Sequence, residues 1–292
     1  MNIFARNKLI RLSVYILKQC LTMYVPSFTL AAKEMASFDS YDSGRGLVLS
    51  ITNCVFGKLD ENEEGTIKYR QGSEKDISKI STCFAGRYMN VDFIEKVNSQ
   101  AYEIKKEIKN LKLKLKNGPN YKFMMILIGS HGTTQDGKTF IFDTENKLLD
   151  LDDEVIAPFY NHEFHEFAGR PKIFIFNCCR GLMPYRFEPK HDGIISSQKK
   201  LIKTEKYKGD MCIVWSTTDG TKSLRLPNEG SPLIQTLCQT IMEKSKDNSL
   251  SSIEFASLMK EVRWKVSADN RVQIDIEDKL AKPFYLTCKG NF

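Results

Sequence analysis

The chain has 292 residues, of which 41% are hydrophobic and 27% are charged, and its net charge is +7. This composition is typical of a globular protein and excludes a disordered or fibrous chain. The length suits one large α/β domain or two smaller ones. The eight cysteines do not follow the spacing of a disulfide framework or a zinc finger, which indicates a reducing, cytoplasmic setting.

Residues 1–43 are predicted to form a short leader and not a membrane anchor. The longest uncharged run, residues 19–32, is too short to span a bilayer as a helix. The apolar stretch at 12–17 is poor for a secretory signal. We expect instead a short helix whose apolar face is formed by Ile10, Val14, Leu17 and Leu21. No membrane partner is expected.

From residue 44 onward, predicted strands alternate with predicted helices. Short apolar runs closed by turn residues predict strands at 47–51, 88–93, 124–128, 172–179, 211–217 and 283–287. Apolar positions at helical spacing predict helices at 73–84, 152–160, 231–246 and 251–267. This alternation predicts an α/β fold with about six mostly parallel strands, covered by helices on both faces.

A further predicted helix is rich in lysine and ends at Gly118. Its lysines alternate with isoleucine and leucine, and they are Lys105, Lys106, Lys109, Lys112, Lys114 and Lys116. No aromatic side chain stands between them on which a base could stack. The pattern therefore favours a solvated helix face over a nucleic-acid interface, and no nucleic-acid partner is expected.

Two of the predicted strands end on residues with nucleophilic chemistry. One is followed by His131 and Gly132, and the other ends on Cys179. Ligands bind at the carboxyl ends of parallel strands, so His131 and Cys179 are expected to face each other as base and thiolate nucleophile. The backbone N–H groups of Gly132 and Cys179 then suit an oxyanion hole.

The alternation of side chains along a strand separates the two adjacent cysteines. Cys179 shares a face with Asn177, whereas Cys178 shares the other face with Phe174 and Phe176. Cys178 is therefore predicted to pack in the core, and Cys179 to be the nucleophile. On spacing alone, two buried strand-end residues without chemistry remain an alternative.

These segments resemble the caspases, the cysteine endopeptidases of cell death. The family signature is Gln-Ala-Cys-(Arg/Gln/Gly)-Gly with a histidine about 50 residues upstream. Residues 177–181 and 130–132 match it in type, order and spacing. Residues 70–76 and 216–235 resemble the segments that carry the two arginines of the family's aspartate-binding pocket. A gingipain- or separase-like relative would share the dyad but lack these arginine segments.

The resemblance implies a caspase-like fold with a large-subunit-like region at 44–181, an inter-subunit linker at 182–209 and a small-subunit-like region at 210–292. It implies His131, Gly132 and Cys179 as catalytic residues. The substrate-binding residues that it implies are Arg70, Asn177, Ser223 and Arg225.

The family cuts its own chains after aspartate, and two aspartates suit such processing. Asp192 is the only aspartate in the predicted linker, and Asp42 stands at the leader boundary. No cofactor or metal is expected, because His162 and His165 lack the His-Glu-x-x-His spacing of a zinc helix.

The chain departs from the family pattern in the substrate cleft. Asn177 replaces a glutamine that helps to hold the substrate carboxylate, and Cys178 stands in place of alanine, a mild change. Two tryptophans that wall the cleft are replaced by Leu224 and Pro232, and Leu226 replaces a polar residue.

These departures favour a caspase homologue with weak or absent peptidase activity. Such a homologue would regulate an active caspase zymogen by binding it through the edge of the sheet. The alternative is an active aspartate-specific endopeptidase that uses Cys179 and His131 on protein or peptide substrates. The same sheet edge could instead join two identical chains into a dimer.

Overall fold

The computed structural model describes residues 40–57, 68–181, 208–247, 250–268 and 272–289. The predicted leader helix and Asp192 lie outside these residues. Among the helices within them, none has the length and apolar character needed to cross a membrane.

Strands and helices alternate along most of the chain. In chain order, the strands of the described residues are β1 (Gly46–Thr52), β2 (Val55–Phe56), β3 (Lys68–Tyr69), β4 (Val91–Val97), β5 (Phe123–Gly129), β6 (Gly132–Gln135), β7 (Lys138–Phe142), β8 (Leu148–Asp150), β9 (Lys172–Asn177), β10 (Met211–Trp215), β11 (Ser252–Glu254), β12 (Asp275–Lys279) and β13 (Tyr285–Thr287). The helices are α1 (Ser73–Phe84), α2 (Ala101–Asn117), α3 (Pro232–Ser245) and α4 (Phe255–Ser267), and short helical turns cover Asp152–Ile156, Ala157–Phe159 and His165–Phe167.

The central sheet has six strands in the order β12-β10-β9-β5-β1-β4. Five of them run parallel, and β12 pairs antiparallel with β10. Strands β1, β5, β9 and β10 are buried along their whole length, as expected for parallel strands that are covered on both sides. The predicted α/β fold with a mostly parallel sheet is confirmed.

Two hydrophobic clusters lie on opposite faces of this sheet. One packs residues of α1, α3 and α4 against alternate sheet positions such as Val48, Ile173 and Val214. The other packs α2 and the turns after β8 against the intervening positions, such as Leu49 and Phe174. This confirms that helices cover both faces.

The sixth strand of the sheet differs from the prediction. The strand predicted at 283–287 is shorter, and it pairs with β11 in a separate two-stranded sheet. The edge position is taken by β12, with the sequence Asp-Ile-Glu-Asp-Lys. Its charged side chains suit an exposed edge, and they hid the strand from a search for apolar runs.

Other element boundaries also differ, and the strands predicted at 172–179 and 211–217 end at Asn177 and Trp215. The strand predicted at 88–93 begins later, as β4, and the helix predicted at 251–267 begins at Phe255 because the residues before it form β11. The helix predicted at 152–160 is a π turn followed by a 3-10 turn. Pro158 lies in the second turn, where its missing N–H prevents a continuous α-helical ladder.

Helix α2 carries its lysines as predicted. Its buried positions are Ile104, Ile108, Leu111 and Leu115. Lys105 pairs with Glu154 at 2.7 Å, and Lys116 pairs with Glu166. The lysines therefore lie on the solvated side of an amphipathic helix.

Lys172, the first residue of β9, is fully buried at the amino end of the strand. Its Nζ donates to Asn161 Oδ1 at 2.8 Å and to the Arg170 carbonyl at 3.0 Å. Burial lowers the pKa of Lys172 to about 8, although the nearby charge of Asp210 acts in the opposite direction.

Because this pKa is depressed, the folded chain is expected to become more stable as the pH rises into the alkaline range. Between pH 8 and pH 10.5 the unfolded chain holds the Lys172 proton more strongly than the folded one, so stability rises with pH in that window. Relative to Lys172→Met, the free energy of unfolding of the natural chain is expected to gain up to about 3 kcal/mol across it. Urea unfolding of both proteins at several pH values measures this, and a constant difference would contradict it.

Candidate active site

The carboxyl ends of β5 and β9 bring the two predicted catalytic residues to one edge of the sheet. The strands are parallel neighbours, with Gly129 opposite Asn177. His131 and Cys179 therefore leave the sheet at the same level, because each lies two positions beyond that pair. The Ser130 N–H donates to the Asn177 carbonyl at 3.3 Å and ties the two strand ends together.

Gly132 lies directly against the cysteine segment. A Cβ atom at this position would be 2.7 Å from the Cys179 carbonyl oxygen and 2.9 Å from Cys178 Cβ. No side chain fits there, so the backbone of residue 132 approaches the nucleophile segment closely. This close approach is what an oxyanion hole built from the Gly132 and Cys179 N–H groups requires.

His131 is exposed at the site. Its imidazole packs at 4.7 Å from the Phe56 ring, with an angle of 52° between the two planes. Its backbone carbonyl accepts a hydrogen bond from Phe142 at 3.0 Å, and Ser130 Oγ donates to the Phe142 carbonyl at 2.6 Å. The loop is therefore held by β7, while the imidazole stays at the surface.

The two cysteines lie in different surroundings, as the alternation along the strand predicts. Cys178 is buried in the same cluster as Phe174 and Phe176. Burial raises the pKa of Cys178 to about 12, so its thiolate is negligible at neutral pH. Cys179 is partly exposed. Of these two thiols, only Cys179 is open to a substrate.

Arg70 lies beneath this edge and is only 2% exposed. One guanidinium nitrogen donates to Ser73 Oγ at 2.9 Å and another to the Asn177 carbonyl at 3.0 Å. Its buried Nε has no partner in the described part of the chain. Desolvation and the charge of Arg225 lower the pKa of Arg70 to about 10.

Arg225 is half-buried, and its Nε donates to the Gln71 carbonyl at 2.6 Å. Burial lowers the pKa of Arg225, while the nearby charge of Asp76 acts against this. Among the described residues, neither Arg70 nor Arg225 forms an ion pair with a carboxylate. The two guanidinium groups are close enough for the charge of Arg225 to act on Arg70, an arrangement that favours binding of a carboxylate.

Asn177 turns its side chain into a buried polar network. Its Nδ2 donates to Ser231 Oγ at 2.8 Å and lies 3.4 Å from Asp76 Oδ2, and its Oδ1 accepts from Ser223 Oγ at 3.4 Å. Ser223 also lies 2.8 Å from Ser216 Oγ. The structure therefore places Asn177 and Ser223 behind the arginine pair, bonded to each other.

The centre of this network is Asp76, which no sequence pattern predicted. This carboxylate is 1% exposed and accepts from the Ser231 N–H at 2.8 Å, from Ser231 Oγ at 2.5 Å and from Gln235 Nε2 at 2.9 Å. Burial raises the pKa of Asp76, although these hydrogen bonds oppose the shift. Its place in the segment 70–76, beside Arg70, was the only signal available in the sequence.

A cleft of about 580 Å³ adjoins Arg225 and is lined by three of the residues that depart from the family pattern. Its walls include Leu224, Leu226, Pro232, Val266 and Val272, with Gln235, Glu229 and Lys265 as polar lining. A peptide bound at the arginine pair can thus place its preceding side chains against a wall that is partly aliphatic and partly polar.

Asp42 lies elsewhere. Its side chain is 80% exposed and pairs with Lys122 at 3.0 Å. It precedes β1 at the amino end of the parallel strands, whereas His131 and Cys179 follow the carboxyl ends. The structure therefore does not bring Asp42 to the site.

The chain resembles known proteins both in sequence and in fold. The family described as the caspase domain matches residues 45–285. Caspase-8 of Rattus norvegicus is 26% identical over 211 residues, which are 68% of this chain and 42% of the rat protein. Caspase-14 of Mus musculus is 23% identical over 265 residues, which are 85% of this chain and 95% of the mouse protein.

The crystal structure of caspase-1 from Spodoptera frugiperda superimposes with a TM-score of 0.61 at 17% identity, covering 82% of this chain and 91% of the insect one. This likeness confirms the fold. Against the caspase-8 sequences of rat and mouse, the chain spans about half of their length, 42% and 46%. Because the caspase domain matches most of the sequence, from residue 45 to residue 285, the chain belongs to the caspase family.

Proposed function

We propose that the chain is an aspartate-specific cysteine endopeptidase that uses Cys179 and His131. The observation that carries this proposal is the pair Arg70 and Arg225, which lies near the partly exposed Cys179 thiol and forms no ion pair with a carboxylate among the described residues. Desolvation of an aspartate carboxylate costs several kcal/mol unless charge-assisted hydrogen bonds replace water. Two guanidinium groups provide such bonds.

In the proposed reaction, His131 takes the proton of the Cys179 thiol, and the thiolate attacks the backbone carbonyl carbon of the bound aspartate. The N–H groups of Gly132 and Cys179 stabilise the oxyanion. His131 then protonates the leaving amine, which departs and leaves a thioester on Cys179. Water, deprotonated by His131, hydrolyses the thioester and restores both side chains.

The proposal includes the division of the chain into a large-subunit-like region at 44–181, a linker at 182–209 and a small-subunit-like region at 210–292, with processing after Asp192. The proposal also includes a cytoplasmic location and a role in cell death. The cysteines of the described residues are all free thiols, which supports a reducing compartment.

The test is hydrolysis of fluorogenic peptides that carry aspartate, asparagine or glutamate before the scissile bond. The natural chain, intact and cut after Asp192, is compared with Cys179→Ala. Activity on aspartate alone, absent from the variant, supports the peptidase. Folded, cut protein that shows no activity above this blank contradicts it.

A regulatory role is the second candidate, and the cleft is the observation that favours it. Asn177 is bonded into the network around Asp76, and Leu224 and Pro232 replace large aromatic walls. If each of these three changes, and Leu226 as a fourth, costs about 1–2 kcal/mol of transition-state binding, catalytic efficiency falls by roughly 10³-fold or more. A chain of this kind binds a caspase zymogen and changes its activation without turnover of its own.

Strand β12 is the edge through which this partner is proposed to bind. It carries three acidic side chains, Asp275, Glu277 and Asp278, and one basic side chain, Lys279. Asp275 and Glu277 pair with Arg180 and Lys208 of the same chain, so Asp278 is the acidic side chain of this strand that has no ion pair among the described residues. Two such strands side by side still bring acidic side chains close together, which is unfavourable. The charge pattern therefore favours a caspase zymogen with a basic edge strand over an identical chain.

Asp278→Lys tests this preference. The side chain is exposed, so the change is expected to weaken binding of a zymogen by a few-fold, in the range of one surface charge pair, and to leave the fold intact. Analytical ultracentrifugation of the chain with a purified zymogen measures it, with Lys260→Asp on α4 as the control. Equal affinities of natural chain and Asp278→Lys would contradict the role of the edge charge.

A further inference from the structure

Tyr41, which lies just before Asp42 at the predicted leader boundary, packs against the domain and forms hydrogen bonds with it. It is 7% exposed and belongs to the cluster beneath one face of the sheet. Its N–H donates to the Pro283 carbonyl at 3.0 Å, and its hydroxyl accepts from the Ala281 N–H at 2.9 Å. The hydroxyl donates to Asp210 Oδ1 at 2.6 Å. All three partners belong to the small-subunit-like region.

Asp210 is a fixed acceptor for this hydroxyl. Its other carboxylate oxygen accepts from Asn161 Nδ2 at 2.9 Å and from the Gly169 N–H at 3.2 Å. Its backbone carbonyl accepts from the Lys172 N–H at 2.9 Å. Burial and Asp210 both raise the pKa of Tyr41, so the phenol stays a donor at neutral pH.

The bond between Asp42 and Ser43 is exposed, yet the chain on both sides of it is held by hydrogen bonds. Both residues of the bond are at the surface. Beyond it, the Gly44 N–H donates to Thr287 Oγ1 at 3.0 Å, and the Arg45 carbonyl accepts from the Lys122 N–H at 2.8 Å. A peptidase cleft binds its substrate as an extended segment, held by main-chain hydrogen bonds. For a cut after Asp42, this segment includes Tyr41, the residue directly before it.

We propose that Tyr41 protects the Asp42–Ser43 bond from aspartate-specific proteolysis. Hydrolysis there adds water across the bond and gives a carboxylate on Asp42 and an ammonium on Ser43, and it requires that Tyr41 first leaves the core. The cut also separates Tyr41 from the domain, with its three hydrogen bonds to the small-subunit-like region. Cutting after Asp42 is therefore slow, and it destabilises the product.

The inference does not depend on the chain's own peptidase activity, because the protease is supplied separately. The full chain with Cys179→Ala, which removes self-cutting, is incubated with a purified active caspase. Mass spectrometry follows the Asp42 cut and distinguishes it from one after Asp39. A synthetic peptide of residues 36–48 gives the rate for an unanchored segment.

The folded chain is expected to be cut at least about 10-fold more slowly than the peptide, since local opening must precede cleavage. Tyr41→Phe keeps the buried ring but loses two hydrogen bonds, and it is expected to be cut about 10-fold faster than the natural chain. Tyr41→Ala is expected to approach the peptide rate. The cut product is expected to melt at a lower Tm than the intact chain.

Tyr102→Ala is the matched control, because Tyr102 is 64% exposed and its loss is expected to leave the cutting rate unchanged. A natural chain cut as fast as the peptide would overturn the proposal. So would a Tyr41→Phe rate equal to that of the natural chain, and this variant decides the question if Tyr41→Ala does not fold.

Discussion

Cys179→Ala is expected to lower the hydrolysis of peptides with aspartate before the scissile bond by at least about 10³-fold, because it removes the nucleophile. Cys178→Ala is expected to keep the activity within a few-fold. The pair is informative because the two thiols are adjacent in sequence and differ in burial. Cys178 is 1% exposed with a pKa raised to about 12, whereas Cys179 is partly exposed.

Initial rates on one fluorogenic peptide, measured for both variants at equal concentrations of folded protein, check this expectation. Cys178→Ala leaves a small void next to Gly132, so thermal unfolding is measured in parallel to separate lost stability from lost chemistry. Loss of activity in Cys178→Ala with an unchanged Tm would contradict the assignment of the nucleophile. Activity retained in Cys179→Ala would do the same.

The placement of His131 and Cys179 at the same edge of the sheet was predictable because it depends on local patterns. Two apolar runs indicated buried parallel strands, and parallel strands place their carboxyl ends at one edge. The alternation along the strand predicted at 172–179 was enough to separate Cys178 from Cys179, although β9 itself ends at Asn177. The placement at one edge could be inferred because each step needed only one strand and a general rule of sheet geometry, whereas the catalytic roles of the two residues stay a prediction.

The features that escaped prediction depend on contacts between distant segments. Asp76 is buried because Ser231 and Gln235 meet it from the start of α3, and nothing near residue 76 indicates that meeting. Tyr41 likewise finds its partners at Asp210 and Pro283 only in the folded chain. Strand β12 was missed for a different reason, since an edge strand with charged side chains has no apolar periodicity.

Arg225→Ala is expected to weaken the binding of an aspartate-containing peptide by about 10- to 100-fold, the range of one lost charge-assisted hydrogen bond. Binding of the matching asparagine peptide is expected to change little, since a neutral amide has no charge to pair. Calorimetry on the Cys179→Ala background measures both peptides. This readout needs no turnover, so it tests the carboxylate site whether the chain is a peptidase or a regulator.

Arg225 is the better probe of the pair because Arg70 also supports the structure. Arg70 is buried and bonded to Ser73 and to the Asn177 carbonyl, so its loss disturbs the strand end that carries Cys179. Arg263→Ala, an exposed change on α4, controls for the loss of one positive charge. If Arg225→Ala weakens the binding of both peptides equally, the arginine shapes the cleft and does not recognise the aspartate. Selective loss for the aspartate peptide means that the two guanidinium groups form its binding site.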